Sequence, residues 1–134
     1  MNLLFTSLFI LSLINPPQGF NDRRIIVISA LEHTSDVNNQ IDKLQKSTLK
    51  LEERKLAVYT LIDGHLKPIL NSSKKSQNFL EKNKSRFISD SNLKIRLIGL
   101  DSGVKKSYSD VVEPNEIFGI VDSMPMRRAE MNRH

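Results

Sequence analysis

The run Ile25-Ile26-Val27-Ile28 constrains this chain more than any other stretch of it. It is continuously apolar and β-branched, with Arg23 and Arg24 before it and a polar loop after it. That pattern fits a strand buried on both faces, since a strand with one wet face would alternate. Such a strand belongs inside a sheet with helices on both sides, and the remaining sequence has to supply them.

It does so in order. After the loop Glu32 to Ser35, apolar residues at Val37, Ile41, Leu44 and Leu51, with Thr48 completing the spacing, predict an amphipathic helix of four turns capped by Thr34, Ser35 or Asp36. Leu56 to Ile62, rich in Val, Tyr, Thr and Ile, reads as a second strand that ends in an Asp63-Gly64 turn. The resulting βαβ unit requires parallel strands and a right-handed crossover. From Leu66 to Asn92 the pattern weakens, but Phe79, Leu80 and Phe87 at helical spacing place a helix over Lys74 to Phe87. Leu93 to Leu100 and Val104 to Tyr108 form an antiparallel hairpin around Asp101-Ser102-Gly103, with Gly103 expected to take the positive φ. Pro114 opens a last helix that turns Ile117, Phe118 and Val121 to the sheet, Pro125 ends or kinks it, and the basic arm Arg127 to His134 is expected to be partly disordered. The order β-α-β-α-β-β-α describes a three-layer α/β domain on a mixed four-stranded sheet, the arrangement of a minimal thioredoxin-like fold.

A chain of 134 residues has room for one core. Leu3 to Ile14 is apolar except for Thr6, Ser7 and Ser12 and is ended by Asn15, Pro16 and Pro17. This is short of the about 20 apolar residues of a spanning helix and suits a signal peptide. Residues 1–20 are read as that leader, cleaved near Gly19 or Phe20, and 21–134 as a single domain without a stable membrane anchor. The competing reading is a hydrophobic first helix or an uncleaved anchor, because Met1 and Asn2 carry no charge and no A-x-A motif is present.

Twenty Lys and Arg against fifteen Asp and Glu give a net charge of +5. The two signs interleave, and with no Trp and only two Tyr there is no base-stacking platform, so the charge serves solubility better than nucleic-acid binding. The chain has no cysteine. Thiol–disulfide exchange, thiol peroxidase chemistry, thiolate metal binding and disulfide stapling are thereby excluded. His33, His65 and His134 lie far apart with no metal-ligand spacing, and no Gly-rich phosphate loop occurs, so neither a metal nor a cofactor is expected.

Three stretches, RIIVISA (Arg24 to Ala30), KIRLIGLDSGVKKSY (Lys94 to Tyr108) and DSMPMRRAEM (Asp122 to Met131), together resemble the bacterial domain of unknown function 4174 family. The resemblance runs from about Arg23 to Met131, and the last stretch is its specific part. It implies a thioredoxin-like, peroxiredoxin-like fold related to a domain of vertebrate sushi-repeat extracellular proteins, and an exported location, but no activity and no catalytic residues. The family's hairpin usually reads G-K-D-G-G where this chain has Gly99, Leu100, Asp101, Ser102 and Gly103, so one Lys and one turn Gly are missing.

Two places can carry function. At the junction of first strand and first helix stand His33, Thr34 and Ser35, which can cap the helix, hold a small anion on its amides, or, with His33 as base, activate a hydroxyl. In the specific stretch, Asp122, Arg127, Arg128 and Glu130 stand among Met124, Met126 and Met131. An Arg pair with adaptable Met neighbours can grip a carboxylate, a phosphate or a partner surface, and it can equally form internal ion pairs while the methionines seal the sheet. The sequence points first to an exported, periplasmic or secreted, non-catalytic binding module whose partner is an envelope protein or a small anion. The alternative is a non-thiol enzyme, hydrolytic in type, with one concave pocket joining His33 to Asp122 or Arg127.

Overall fold

The computed structural model describes residues 20–133. The residues read as a leader, apart from Phe20, and His134 lie outside them, so the expectations for the apolar run and for cleavage near Gly19 fall outside the described residues. Strand β1 (Arg24–Ala30) is buried along its whole length, as the apolar run requires. Successive side chains of a strand point to opposite faces. Ile25 and Val27 accordingly join Ala57, Tyr59, Leu61, Ile98, Leu80 and Phe87 in one cluster. Ile26, Ile28 and Ala30 join Val37, Leu44, Leu51, Val58, Ile95 and Leu97, with Ile117, Phe118 and Val121, in the other.

The elements that supply these layers are α1 (Ser35–Gln45), α2 (Thr48–Glu53), β2 (Leu56–Ile62), β3 (His65–Leu70), α3 (Lys74–Lys82), α4 (Lys84–Phe87), β4 (Lys94–Ile98), β5 (Val104–Tyr108), α5 (Pro114–Asp122) and α6 (Pro125–Asn132). The fold is α/β, with α1, α2 and α5 on one face of the sheet and α3 and α4 on the other. Strand order is β3-β2-β1-β4-β5. β1 and β2 are parallel, with Arg24 opposite Leu56 and Ala30 opposite Ile62, while β4 and β5 are antiparallel. Both pairings follow from the sequence, as does α5 opening on Pro114 with Ile117, Phe118 and Val121 buried. None of the described helices is long and apolar enough to cross a membrane.

Five details differ from the expectations. The sheet has five strands instead of four, because Asp63 and Gly64 both take positive φ, 50° and 74°, and return the chain as the hairpin strand β3. That is the backbone of a two-residue hairpin turn, which favours such an Asp-Gly pair. The long first helix is two, broken at Lys46 and Ser47, although Val37, Leu44 and Leu51 stay buried on one side across the break. The helix over Lys74 to Phe87 is likewise split at Asn83, whose amide donates to the Phe79 carbonyl at 2.8 Å. Ser102, at φ 71°, takes the positive φ in the β4–β5 connection, and Gly103 does not. The Ser102 amide donates to the Gly99 carbonyl, so Gly99 to Ser102 form a turn whose last residue, Ser102, is the left-handed one of a bulged hairpin. The turn glycine missing here relative to the family pattern is thus the one at that position. Last, Pro125 does not merely end α5. It occupies the first turn of α6, and the arm expected to be partly disordered is helical through Asn132.

Candidate functional site

Asp122, Arg127 and Glu130 of the specific stretch come together at the end of the sheet where β1 begins. Arg24 continues the strand from its apolar run, so its side chain is carried into the protein, where it is only 1% exposed. Its guanidinium donates to both carboxylate oxygens of Glu130, at 3.3 and 3.1 Å, and to the Arg54 carbonyl at 2.8 Å. Arg54 forms a bidentate pair with Asp122, both contacts at 3.0 Å, and lies 4.6 Å over the Phe118 ring. Arg127, 4% exposed, donates to Asp122 at 3.2 Å, to the Glu53 carbonyl at 3.2 Å and to the Glu53 carboxylate at 3.2 Å. Lys55 reaches Glu130 at 3.8 Å. The network therefore ties α6 to β1 and to the end of α2.

Its electrostatics follow from this geometry. Burial pushes the Asp122 carboxyl up, but Arg54 and Arg127 outweigh that and hold it below its ordinary value. Glu130 is treated the same way, raised by burial and brought below its ordinary value by Arg24, Lys55 and Arg127. Burial also opposes the charge on Arg127, and its bonds to Asp122 and Glu53 more than compensate. Charges so paired have their hydrogen-bonding capacity turned inward. Asp122, Arg127 and Glu130 hold the fold, and the Arg pair divides: Arg127 is buried while Arg128 is exposed, with no side-chain partner among the described residues.

Next to the network a cleft of about 400 Å³ opens between the β4–β5 connection and the α5–α6 junction. Arg24, Leu100, Met124 and Met126 line it. At its rim Lys105 pairs with Asp101 at 2.7 Å; Lys105 and the Gly103 amide hold the Asp101 carboxyl below its ordinary value. Lys105 runs across Gly99, where an added Cβ would stand 2.6 Å from its Cε. A side chain at 99 would push this lysine away, so the glycine shapes the rim. Met126, on the cleft wall, is 47% exposed, and Met131, outside the cleft lining, is 38% exposed. Helix α6 thus buries charge and leaves methionine outside.

The other predicted residues lie elsewhere. Thr34 caps α1 by accepting from the Val37 amide at 3.3 Å, and His33 and Ser35 are exposed. They stand at the opposite end of β1, about 20 Å away for a seven-residue strand at about 3.3 Å per residue. His33 lines a separate groove with His65, between α1 and β3. The pocket expected to join His33 to Asp122 or Arg127 is therefore not formed. Sequence reasoning missed Arg24, Glu53, Arg54 and Lys55 as network members. The available signal was Arg24 abutting the buried run without a turn between them. Among the described residues no three His, Asp or Glu side chains are grouped to hold a metal ion.

A protein-family model described as Domain of unknown function (DUF4174) matches residues 18–130. No curated protein and no solved structure matches the chain.

Proposed function

This chain belongs to the DUF4174 family, and from that premise we propose that it is an exported, non-catalytic interaction module of the cell envelope, built on a thioredoxin-like scaffold without redox chemistry. The observation that carries the reading is the outer side of α6. A helix on a free surface gains by turning methionine in and charge out. Here Arg127 is 4% exposed against 47% for Met126 and 38% for Met131, and the apolar cleft of Leu100, Met124 and Met126 continues the surface. Adaptable methionines beside Arg128, a cation with no side-chain partner among the described residues, suit a protein partner with an acidic edge.

The scaffold reading draws support from strand order. With β3 set aside the sheet runs β2-β1-β4-β5, with β1 and β2 parallel and β4 and β5 antiparallel to their neighbours. β3 is then an added hairpin on the β2 edge. Where a thioredoxin-like protein would carry its thiol, at the start of the first helix, this chain has Leu31 to Ser35 and no sulfur. Export draws support from the apolar run of the leader.

The test is capture from an envelope extract by the processed protein, comparing wild type with a Met126→Glu, Arg128→Glu double variant. Both positions are exposed, so thermal stability is expected to be unchanged. The expected result is a partner bound by wild type and by a Leu49→Glu control on α2, and lost by the double variant. Equal capture by all three, or none by any, refutes the reading. Mass spectrometry of the envelope fraction is expected to show an amino terminus near residue 20, and recovery of the intact chain in the cytosol would refute export.

A further inference from the structure

We propose that the groove between α1 and β3 binds a short aliphatic carboxylate. The proposal does not rest on the α6 surface, which lies at the other end of the sheet. The groove exists because β3 extends the sheet beyond the edge that α1 covers, leaving about 310 Å³ open over the β2–β3 pair. That volume is in the range of small-molecule sites.

The charge of the lining is one-sided. Lys67 stands directly opposite Thr60 in the hairpin register, and both line the groove. Lys67 has no ion-pair partner among the described residues, and no Asp or Glu lines the groove at all. Asp63 and Asp42 are near in sequence but are not part of the lining. Thr60 is 3% exposed, and its hydroxyl has no hydrogen-bond partner among the described residues. Among the described residues the Tyr108 hydroxyl is the buried side-chain group left without a partner, so the Thr60 hydroxyl keeps some solvent access, and Thr60 lines the groove. His33 and His65 add ring N–H donors at the end of the groove, and an imidazole offers one even when neutral. The lining therefore offers a cation and several neutral donors but no carboxylate of its own, with the Asn38 and Gln45 side-chain amides of α1 as neutral acceptors.

The rest of the lining decides which acceptor. Ile41, Ile62 and Ile69 pack against the core but remain partly open toward the groove. A bare inorganic anion would leave that apolar surface wet, whereas a carboxylate with a short aliphatic chain covers it while its head meets Lys67 and Thr60.

The experiment is an amide NMR titration of the protein with hexanoate, hexanol and inorganic phosphate, repeated on Lys67→Met and Thr60→Val variants. Both substitutions keep side-chain bulk and strand propensity, and matching amide spectra outside the groove establish that the variants fold. Hexanoate is expected to shift amides around His33, Asn38, His65 and Lys67. Its affinity should fall by about tenfold or more in Lys67→Met, the effect of losing a charge-assisted contact, and by several-fold in Thr60→Val. Hexanol binding as tightly as hexanoate overturns the proposal, because charge then plays no part. Phosphate binding as tightly overturns it in favour of a simple anion site. Hexanoate that shifts nothing, or shifts only residues of the α5–α6 cleft, overturns it as well.

Discussion

Replacing Glu130 by Leu is expected to be one of the most damaging single changes available on this protein's surface layer, and replacing its partner as well is expected to undo much of the damage. Arg24 is 1% exposed, and two of its three hydrogen bonds go to Glu130. With Glu130 gone, a buried guanidinium keeps only the Arg54 carbonyl, and Lys55 and Arg127 lose the carboxylate that stands 3.8 and 3.6 Å from them. Breaking a buried pair from one side costs about 3–5 kcal/mol. The lower part of that range applies, because the Glu130 side chain is 14% exposed and water can reach the vacated edge. Against a total of about 5–15 kcal/mol for a domain, about 3 kcal/mol lowers the melting temperature by roughly 10 °C or more. In the double variant Arg24→Met, Glu130→Leu no buried charge is left without its partner, and apolar replacements of buried pairs are often near neutral. Urea unfolding of wild type, the two single variants and the double variant measures the coupling, expected at about 2 kcal/mol or more. A double variant no more stable than Glu130→Leu would refute the reasoning, since the cost would then come from lost packing and not from the stranded charge.

Two further outcomes follow from the same structure. Asp122, Glu130 and Asp101 have folded pKa values held below their ordinary ones, so the stability they add is complete above their unfolded values, about 3.9 and 4.3, and is lost as pH falls through the folded values. Melting temperature is therefore expected to drop steeply below about pH 4 and less steeply in Asp122→Asn; equal slopes would contradict the assignment. The two tyrosines should behave oppositely. The Tyr108 hydroxyl is buried without a hydrogen-bond partner among the described residues, so Tyr108→Phe is expected to be neutral or stabilising, whereas Tyr59→Phe breaks a 2.6 Å bond to the buried Ser76 and should cost about 1–2 kcal/mol in chemical denaturation.

The parts of the fold that were legible are those where one physical pattern acts alone. β1 announces itself because no polar residue interrupts its apolar run, and the α1–α2 layer because Val37, Leu44 and Leu51 recur on one side. β3 was not legible because the pattern weakens from Leu66 on, and Pro68 within it removes a ladder donor, which disfavours an interior strand. The proline is tolerated because β3 is outermost in the sheet, where a strand has an unpaired side. Asp63-Gly64 alone was a sufficient hairpin signal, had it been weighed above the weak pattern that follows it. At Ser102 a composition rule misled: glycine favours positive φ, but the closing of the Gly99 to Ser102 turn decides which residue must take it.

The candidate site was legible as a cluster but not as a division of labour. Asp122, Arg127 and Glu130 do converge, yet they converge with Arg24 and Arg54, which stand far away in sequence and give no local sign of pairing. Adjacent helical residues point about 100° apart. In Arg127-Arg128 one guanidinium must therefore leave any surface the other enters, and here the first enters the network while the second stays in solvent. Arg127 and Glu130, three residues apart, share the inward side of α6, so Met126 and Met131 are left at its margins. The buried ion pairs fix how α6 is turned, and that turn is what presents the methionines outward. If α6 docks a partner, its specificity is set from within: loosening Arg127 or Glu130 would abolish binding by rotating the helix, without either residue touching the partner.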